Sequence, residues 1–253
     1  MRSIITLITD FGTADGYVGE MKGVILSLVD DVEVVDITHD IPPQDVDRAR
    51  LTLARVWRRF PKGTIHVVVV DPGVGSTRNA LAVSSDDRFL VGPDNGVLSP
   101  ALLTRRAQVI ELPVPPTAAA TFHGRDLFAP AAAALARGES LDSLGVPARE
   151  PIIRRTPEAQ RAADGSVVGE IIAVDRFGNA VTNLIALRGG VVEVNGTTVP
   201  IRRVYAEVEP GAPVAVVGST GFVEIAVRDG DAACVLGLAR GMAVTLRTIL
   251  SAQ

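Results

Sequence analysis

The first part of the chain alternates short apolar runs with stretches whose apolar residues recur at helical spacing. The runs predict strands over 4–8, 32–37, 64–70, 80–84, 89–91 and 108–112. Helical spacing predicts helices over 15–28 and 46–60, and an alanine-rich helix over 126–136. Strands that alternate with helices are typical of an α/β domain, so we expect a mostly parallel sheet with helices on its faces.

The pattern changes after residue 149, where a polar stretch with two prolines, 151–165, interrupts the alternation. Short strand-like runs then follow one another with glycine and asparagine pairs between them: 167–174, 180–185, 191–194, 197–201, 214–217, 222–227 and 243–246. A turn over 234–239 is the strongest helical signal among them. This spacing predicts a smaller, all-β barrel or sandwich. We divide the chain into an α/β domain over 1–155, a linker over 156–166 and a β domain over 167–253.

Composition narrows the classes of function. The 253 residues are 47% hydrophobic and carry a formal net charge of −4, which gives no basic footprint for nucleic acid. No apolar run approaches the ~20 residues that span a bilayer, so no membrane partner is expected. The single cysteine, Cys234, allows no disulfide within the chain, and the start of the chain lacks the features of a signal peptide. We therefore expect a cytoplasmic protein.

The clearest chemical signal is a run of four valines, 67–70, that ends at Asp71 and leads into the turn 72–75. Arg78 follows that acid by seven positions, and Asp10 likewise follows the first strand. Open α/β sheets bind ligands beyond the carboxyl ends of their strands, and glycines there allow a close backbone approach. We expect Asp10 and Asp71 to belong to a ligand site. For 94–96, Asp-Asn-Gly, a plain turn and a functional role both stay open.

The other candidate groups give weaker signals. His66 lies inside a strand and is interpreted as structural, whereas His123 stands directly before a helix, where an active-site role and a structural role both stay open. No spacing of histidines and carboxylates matches a zinc or calcium pattern, so we expect no metal. The glycines over 73–76 lack both the third glycine of a dinucleotide fingerprint and the end of a P-loop.

Two segments of the β domain carry polar groups around turns. Residues 174–183 gather an acid, an aromatic ring and two amides, which suit either a plain hairpin or contact with an adenine ring. Residues 218–224 offer hydroxyl groups, backbone N–H groups and a further acid, and such donors suit a carboxylate. Each segment is ambiguous when taken alone.

Eight short motifs occur in order along the chain: 9–12 (TDFG), 21–23 (MKG), 36–39 (DITH), 71–75 (DPGVG), 92–96 (GPDNG), 122–126 (FHGRD), 175–179 (DRFGN) and 218–221 (GSTG). Together they resemble the S-adenosyl-L-methionine (SAM) hydroxide adenosyltransferases, which are adenosine-forming SAM hydrolases and relatives of the fluorinase and chlorinase. The resemblance covers nearly the whole chain, and the ordered set is far more specific than any one motif.

The resemblance implies a homotrimer of subunits with an α/β domain and a β-barrel domain. SAM would bind between the first domain of one subunit and the second domain of its neighbour. Water or hydroxide would attack the ribose C5′ in a nucleophilic substitution that releases L-methionine and leaves adenosine. SAM is the substrate of this reaction, and no cofactor is implied.

The resemblance also implies roles for individual residues. Asp71, Arg78 and His123 would surround the attacking water, and an acid at position 71 fits the hydrolases, since the halogenases lack one there. The resemblance further implies that Asp10 binds the ribose hydroxyls and that Phe177 and Asn179 bind adenine. Asp175 and Ser219 would bind the methionine end. Glu224 and the backbone of Val227 would lie on the strand that lines the same pocket. The alternatives are a SAM-dependent halogenase and a non-catalytic adenosine- or SAM-binding module.

The chain also departs from the fluorinase at two positions. Gln44 stands where the fluorinase has a tryptophan near the ribose, and Thr220 stands where it has an arginine. At these two positions the chain therefore differs from the fluorinase in the side chains that would pack against the ribose and hold the methionine carboxylate.

Overall fold

Two units make up the chain in the computed structural model, Met1–Arg155 and Thr156–Gln253. The structure describes residues 2–186 and 189–247, and each unit is considered by itself. Within these residues, no helix is long and apolar enough to cross a bilayer.

The first unit is built on a seven-stranded sheet with helices on both faces. Its strands are β1 (Ser3–Thr9), β2 (Val32–Thr38), β3 (Ile65–Val69), β4 (Ala80–Ser85), β5 (Arg88–Pro93), β6 (Gln108–Glu111) and β7 (Val146–Pro147). Its helices are α1 (Tyr17–Leu28), α2 (Val46–Val56), α3 (Ser99–Leu102) and α4 (Ala129–Ala136), with 3-10 turns at Trp57–Arg59 and Leu141–Leu144 and a π-helical turn at Gly124–Phe128.

The sheet is mixed, with strand order β2-β1-β3-β5-β4-β6-β7. Strands β2, β1, β3 and β5 are parallel, whereas β4, β6 and β7 join by antiparallel pairing. The expectation of a mostly parallel sheet is therefore wrong for its second half. The cause is a two-residue loop between β4 and β5, Asp86 and Asp87, both with positive φ (47° and 57°). So short a loop reverses the chain, and positive φ at both residues is typical of a type I′ hairpin turn.

The valine run explains how the helices cover both faces of this sheet. Alternate residues of a strand point to opposite faces, and here both directions lead into core. Val67 and Val69 pack in the cluster that α1 and α4 supply, and Val68 and Val70 pack with α2 and Trp57. The backbone direction of β3 therefore places Asp71, two positions after its last residue, at the carboxyl edge of the sheet.

The second unit is a nearly closed barrel. Its elements are β8 (Gln160–Arg161), β9 (Val167–Val174), β10 (Ala180–Thr182), β11 (Val191–Val194), β12 (Thr197–Pro200), a 3-10 turn (Tyr205–Glu207), β13 (Pro213–Val217), β14 (Val223–Val227), α5 (Ala232–Leu236) and β15 (Ala243–Arg247). The order is β12-β11-β15-β9-β10-β14-β13 with antiparallel pairs, and a bridge from Ile201 to Ala215 links the two ends.

The stretch interpreted as a linker, 156–166, contains β8, which pairs with β9. The turn expected over 234–239 overlaps α5, which Asp231 caps by accepting a hydrogen bond from the Cys234 N–H at 2.8 Å. Residues 248–253, the end of the expected β domain, lie outside the described residues.

Candidate active site

A cleft of about 400 Å³ opens at the carboxyl edge of the first sheet. Loops after β1, β2 and β3 and the segment before the π-helical turn form its walls. Asp10, Asp71 and His123 line this cleft together with aromatic side chains. Three residues singled out in the sequence thus share one cavity, as the carboxyl-edge rule predicts.

Asp71 and Arg78 form a buried ion pair at this edge, with side chains only 5% and 10% exposed. Arg78 Nε donates to both carboxylate oxygens of Asp71 at 3.0 Å, and Nη2 donates to Oδ2. The guanidinium plane also lies over the Phe128 ring, with Cζ 5.4 Å from the ring centroid. This forked contact fixes the orientation of the carboxylate as well as its charge.

Consecutive turns and the direction of β4 bring Arg78 back to Asp71. Val74 N–H donates to the Asp71 carbonyl at 3.2 Å, and the Ser76 hydroxyl donates to the Gly73 carbonyl at 2.6 Å. Because β4 runs antiparallel to β5, it starts at the carboxyl edge, with Arg78 just before it. Gly75 is needed in this loop, since it has φ +75° and a Cβ there would lie 2.4 Å from the Ala120 carbonyl oxygen.

His123 completes a chain of three contacting side chains. Arg78 Nη2 lies 2.9 Å from His123 Nδ1. A guanidinium only donates, so Nδ1 accepts this bond and the neutral ring carries its hydrogen on Nε2. Burial, and then the positive charge of Arg78, lower the pKa of His123. The imidazole is therefore neutral near pH 7, with Nδ1 occupied and an Nε2–H available as a donor.

Charged residues on the π-helical turn hold the segment that carries His123. Asp126 Oδ2 accepts a hydrogen bond from the Ala119 N–H at 2.8 Å. Arg125 pairs with Asp126 and with Glu20 on α1, at 2.7 Å in each case. The π-helical turn itself is a feature found frequently at functional sites.

Asp10 and an aromatic cluster form another part of the cleft. The Gln44 backbone N–H donates to Asp10 Oδ2 at 2.7 Å, and Gln44 has φ +66°. A positive φ in a residue other than glycine is uncommon, and such backbone strain often marks a functional constraint. Phe11, Tyr17 and Phe122 pack with ring centroids 5.3–5.9 Å apart. The sequence pattern assigned Tyr17 only to a helix face, because its proximity to the other rings depends on packing.

The Asp175 turn of the second unit is held by its own acid. Asp175 Oδ1 accepts from the backbone N–H groups of Phe177 and Asn179 at 2.8 and 2.9 Å. Asn179 Nδ2 donates to Asp175 Oδ2 at 3.1 Å. Phe177 is left 75% exposed at the tip. Asp175, Phe177 and Asn179 thus lie together in one turn, and the ring of Phe177 is exposed.

The remaining expected residues lie along the β13–β14 hairpin. Ser219 is exposed in the loop, whereas Val227 is a core residue, 6% exposed, so it offers only its backbone. Glu224 fills the space beside Gly218. Tyr205 was not singled out in the sequence, yet burial and then the charges of Glu224 and Asp175 raise the pKa of its phenol. These two acids and Tyr205 therefore lie near one another.

Asp94 is the strand-end acid whose role the sequence left open. It is buried, and its Oδ1 accepts the Ile152 N–H at 2.7 Å, which ties the last segment of the first unit to β5. Burial raises the pKa of Asp94. Among the residues that the structure describes, no group of three or more His, Cys, Asp or Glu could hold a metal ion.

Comparison with known proteins places the whole chain in one family. The model of the SAM hydroxide adenosyltransferase N-terminal domain matches residues 5–145, and that of the C-terminal domain matches 169–245. The chain is 44% identical to the (R)-S-adenosyl-L-methionine hydrolase of Thermus thermophilus, over 96% of this chain and 98% of the relative. It is 27% identical to a fluorinase of Actinopolyspora mzabensis, over 96% of both.

Solved structures extend the similarity to the fold. The crystal structure of an uncharacterized conserved protein from Thermotoga maritima superposes with a TM-score of 0.86 at 32% identity, covering 98% of this chain and 100% of the other. The resemblance carried by the eight ordered motifs is confirmed by these matches. The chain belongs to the SAM hydroxide adenosyltransferase family.

Proposed function

We propose that this protein hydrolyses SAM to adenosine and L-methionine by attack of water on the ribose C5′. The observation that carries the proposal is the chain of contacts from Asp71 through Arg78 to His123 at the cleft, in a member of this family. SAM is the substrate and no cofactor takes part. The sulfonium is a cationic leaving group, so the reaction needs no acid to protonate it.

The three side chains take different roles in this proposal. Arg78 has no lone pair, and His123 Nδ1 already accepts from Arg78. Asp71 is therefore the group of the three that accepts the water proton, and the His123 Nε2–H donates to the water oxygen. Arg78 is a positioning residue that holds both partners. The O–C5′ bond forms as the C5′–S bond breaks, the electron pair goes to methionine sulfur, and one proton is released.

Positioning supplies most of the acceleration in such a displacement. Holding the nucleophile in line with the leaving group is worth roughly 7–11 kcal/mol of barrier when the geometry is good. A positioned base adds about 10²–10⁴-fold. The buried, forked Asp71–Arg78 contact suits this task because its geometry is fixed before substrate binds.

The remaining contacts follow the family resemblance and are part of the proposal. Asp10 accepts the ribose hydroxyls, which is consistent with one of its oxygens being held by the Gln44 N–H. Phe177 and Asn179 bind adenine. Asp175 and Ser219 bind the methionine end, beside Glu224 and the Val227 backbone. We also propose a homotrimer in which neighbouring copies complete the site, and the cytoplasm as the compartment.

The test is a product assay with SAM in ¹⁸O-labelled water. The expected products are L-methionine and adenosine with the label in the 5′-hydroxyl. Asp71→Asn is expected to slow adenosine formation by about 10²–10⁴-fold, the range for a lost base. The matched control is Asp87→Asn, the same substitution in the β4–β5 turn, where the Asp87 side chain is 67% exposed, and it should leave the rate unchanged.

The same assay separates the alternatives. A 5′-halo-adenosine formed with chloride or fluoride would identify a halogenase. Saturable adenosine or SAM binding without product above the solvent background would identify a binding module. Equal rates for the wild type and Asp71→Asn would show that the proposed mechanism is wrong.

A further inference from the structure

A second set of polar side chains lies behind the Asp10 loop and has no place in the proposed reaction. Thr9, the last residue of β1, is fully buried, and its Oγ1 lies 2.9 Å from His39 Nδ1. His39 follows β2 and is 5% exposed. These residues belong to two of the ordered motifs, 9–12 and 36–39, and His39 itself does not line the cleft.

The set continues outward from His39 to the surface. His39 Nε2 lies 3.0 Å from Asp36 Oδ1, close enough for electrostatic attraction, although the ring N–H is not aligned for a hydrogen bond. Asp36 Oδ2 accepts a hydrogen bond from Lys22 Nζ of α1 at 2.5 Å. Burial acts to raise the pKa of Asp36, but the contacts with Lys22 and His39 outweigh it, so the pKa is lowered and the acid is charged. A charged acid near Nε2 favours the hydrogen on Nε2, which leaves Nδ1 to accept from the Thr9 hydroxyl.

His39 thereby joins the two loops that carry the Asp10 end of the cleft. The Gly12 N–H donates to the His39 carbonyl at 2.9 Å, and the Phe11 N–H approaches Thr9 Oγ1 at 3.3 Å. From the other loop, the Gln44 N–H donates to Asp10 Oδ2. The loop that carries Asp10 is therefore held to His39 by a side-chain bond from Thr9 and by a backbone bond from Gly12.

We propose that His39 is a positioning residue for the ribose: through Thr9 it fixes the loop that carries Asp10, and Asp36 and Lys22 hold His39 in turn. The inference rests on the proposed function, because it takes Asp10 as the acceptor of the ribose hydroxyls. The imidazole does not touch substrate. Its loss should weaken the contact to those hydroxyls and leave the reacting groups Asp71 and His123 in place.

The chain contains a matched control for this inference. His66 on β3 is also buried and makes the same kind of contact, from Nδ1 to Thr6 Oγ1 at 2.7 Å, while its Nε2 donates to the Trp57 carbonyl at 3.1 Å. Thr6 and Thr9 both belong to β1 and are both fully buried. Neither His66 nor Thr6 lines the cleft. Equivalent substitutions at the two pairs therefore remove similar bonds at different distances from Asp10.

The experiment compares the binding of adenosine and 2′,3′-dideoxyadenosine by titration calorimetry. His39→Gln places its amide near the Nε2 position and loses the bond to Thr9, so the Kd for adenosine should rise about tenfold, the usual scale for one buried hydrogen bond left unmade. The Kd for dideoxyadenosine should stay within about twofold, because that ligand lacks the hydroxyls Asp10 would bind. His39→Asn keeps a polar group near Nδ1 and should retain most of the adenosine affinity.

The controls decide between positioning and general destabilisation. His66→Gln should leave the ratio of the two dissociation constants unchanged. Thr9→Val and Thr6→Val repeat the comparison without touching a histidine, should His39→Gln fail to fold. With SAM, His39→Gln should raise KM and leave kcat within about threefold, because the weakened ribose contact is made equally in the bound substrate and in the transition state.

Three results would overturn the inference. Equal weakening of both nucleosides by His39→Gln would mean a general structural role. The same loss of discrimination from His66→Gln or Thr6→Val would mean that any buried bond of β1 matters equally. A wild type that binds both nucleosides equally well would remove the ribose contact of the proposed function, and this inference would fall with it.

Discussion

The buried ion pair between Asp71 and Arg78 allows stability and activity to be separated. Arg78→Met removes three N–H contacts to the carboxylate and leaves Asp71 buried with no cation against it. Both side chains are at most 10% exposed, so solvent compensates only in part for the lost partner. Breaking a buried pair from one side costs about 3–5 kcal/mol, and we expect a loss of that size in the free energy of unfolding.

Removing both charges should restore most of that loss. In the double variant Asp71→Leu/Arg78→Met no unpaired charge remains, and buried pairs replaced by apolar side chains are often neutral in stability. We expect the free energy of unfolding of the double variant to lie within about 2 kcal/mol of the wild-type value. The remaining loss arises because His123 Nδ1 no longer accepts a hydrogen bond from Arg78. Hydrolysis of SAM should be lost in the single and the double variant alike, because both lack Arg78, the proposed positioning residue for Asp71 and His123.

Urea unfolding followed by tryptophan fluorescence measures this. Trp57 is the single tryptophan, is 1% exposed and belongs to the first unit, so its emission reports on the unit that holds the ion pair. Protein concentration is held fixed, since association of copies would contribute to the apparent stability. The control is Lys62→Met, which breaks an ion pair between side chains 76% and 67% exposed and should cost less than about 1 kcal/mol. An Arg78→Met variant that loses as little stability as Lys62→Met, or a double variant no more stable than Arg78→Met, would show that the buried charge of Asp71 does not set the cost.

Three further outcomes follow from other parts of the structure. Burial lowers the pKa of His66 from 6.5 to about 4. As the pH falls, the unfolded chain therefore binds a proton at His66 before the folded protein does. The free energy of unfolding should be constant above pH 6.5 in this respect and fall by on the order of 3 kcal/mol towards pH 4. Urea titrations at several pH values should show that His66→Gln flattens this dependence. Gly75→Ala should cost about 1–3 kcal/mol and slow hydrolysis, because its Cβ would meet the Ala120 carbonyl; Gly63→Ala, with equally positive φ (+82°) and open space, should leave the rate unchanged. Phe177→Ala should weaken adenosine binding by about 0.5–1.5 kcal/mol without shifting the unfolding midpoint, and unaltered affinity would exclude the ring from the site.

The local elements of the chain followed closely from hydrophobic periodicity. β9 and β11 begin and end at the residues that the pattern predicted, and β1 to β3 agree within a residue or two at each end. The reason is that a strand or an amphipathic helix buries one face, and this burial requires apolar residues at a regular spacing along the chain. The acids at strand ends were found by the same means, since Asp10 and Asp71 each follow such a run.

The direction of β4 was the main feature of the first sheet that periodicity did not predict. Asp86-Asp87 is a weaker hairpin signal than Asn-Gly, although its residues adopt the same positive φ. The direction of β4 matters for the site as well as for the fold. A parallel β4 would start at the far edge of the sheet, whereas the antiparallel β4 starts beside the carboxyl ends and returns Arg78 to Asp71.

Local patterns along the chain were sufficient to predict the two-part organisation, the strand-end acids and, through the order of the motifs, the family. How these groups act on one another depends on contacts that form only in the folded protein. Arg78 and His123 are 45 positions apart, and the bond between them sets the hydrogen of the imidazole on Nε2. Tyr17 and Tyr205 likewise join their clusters through packing. Periodicity is a property of neighbours along the chain, whereas charge, tautomer and hydrogen-bond partner depend on groups that only folding brings within a few ångströms.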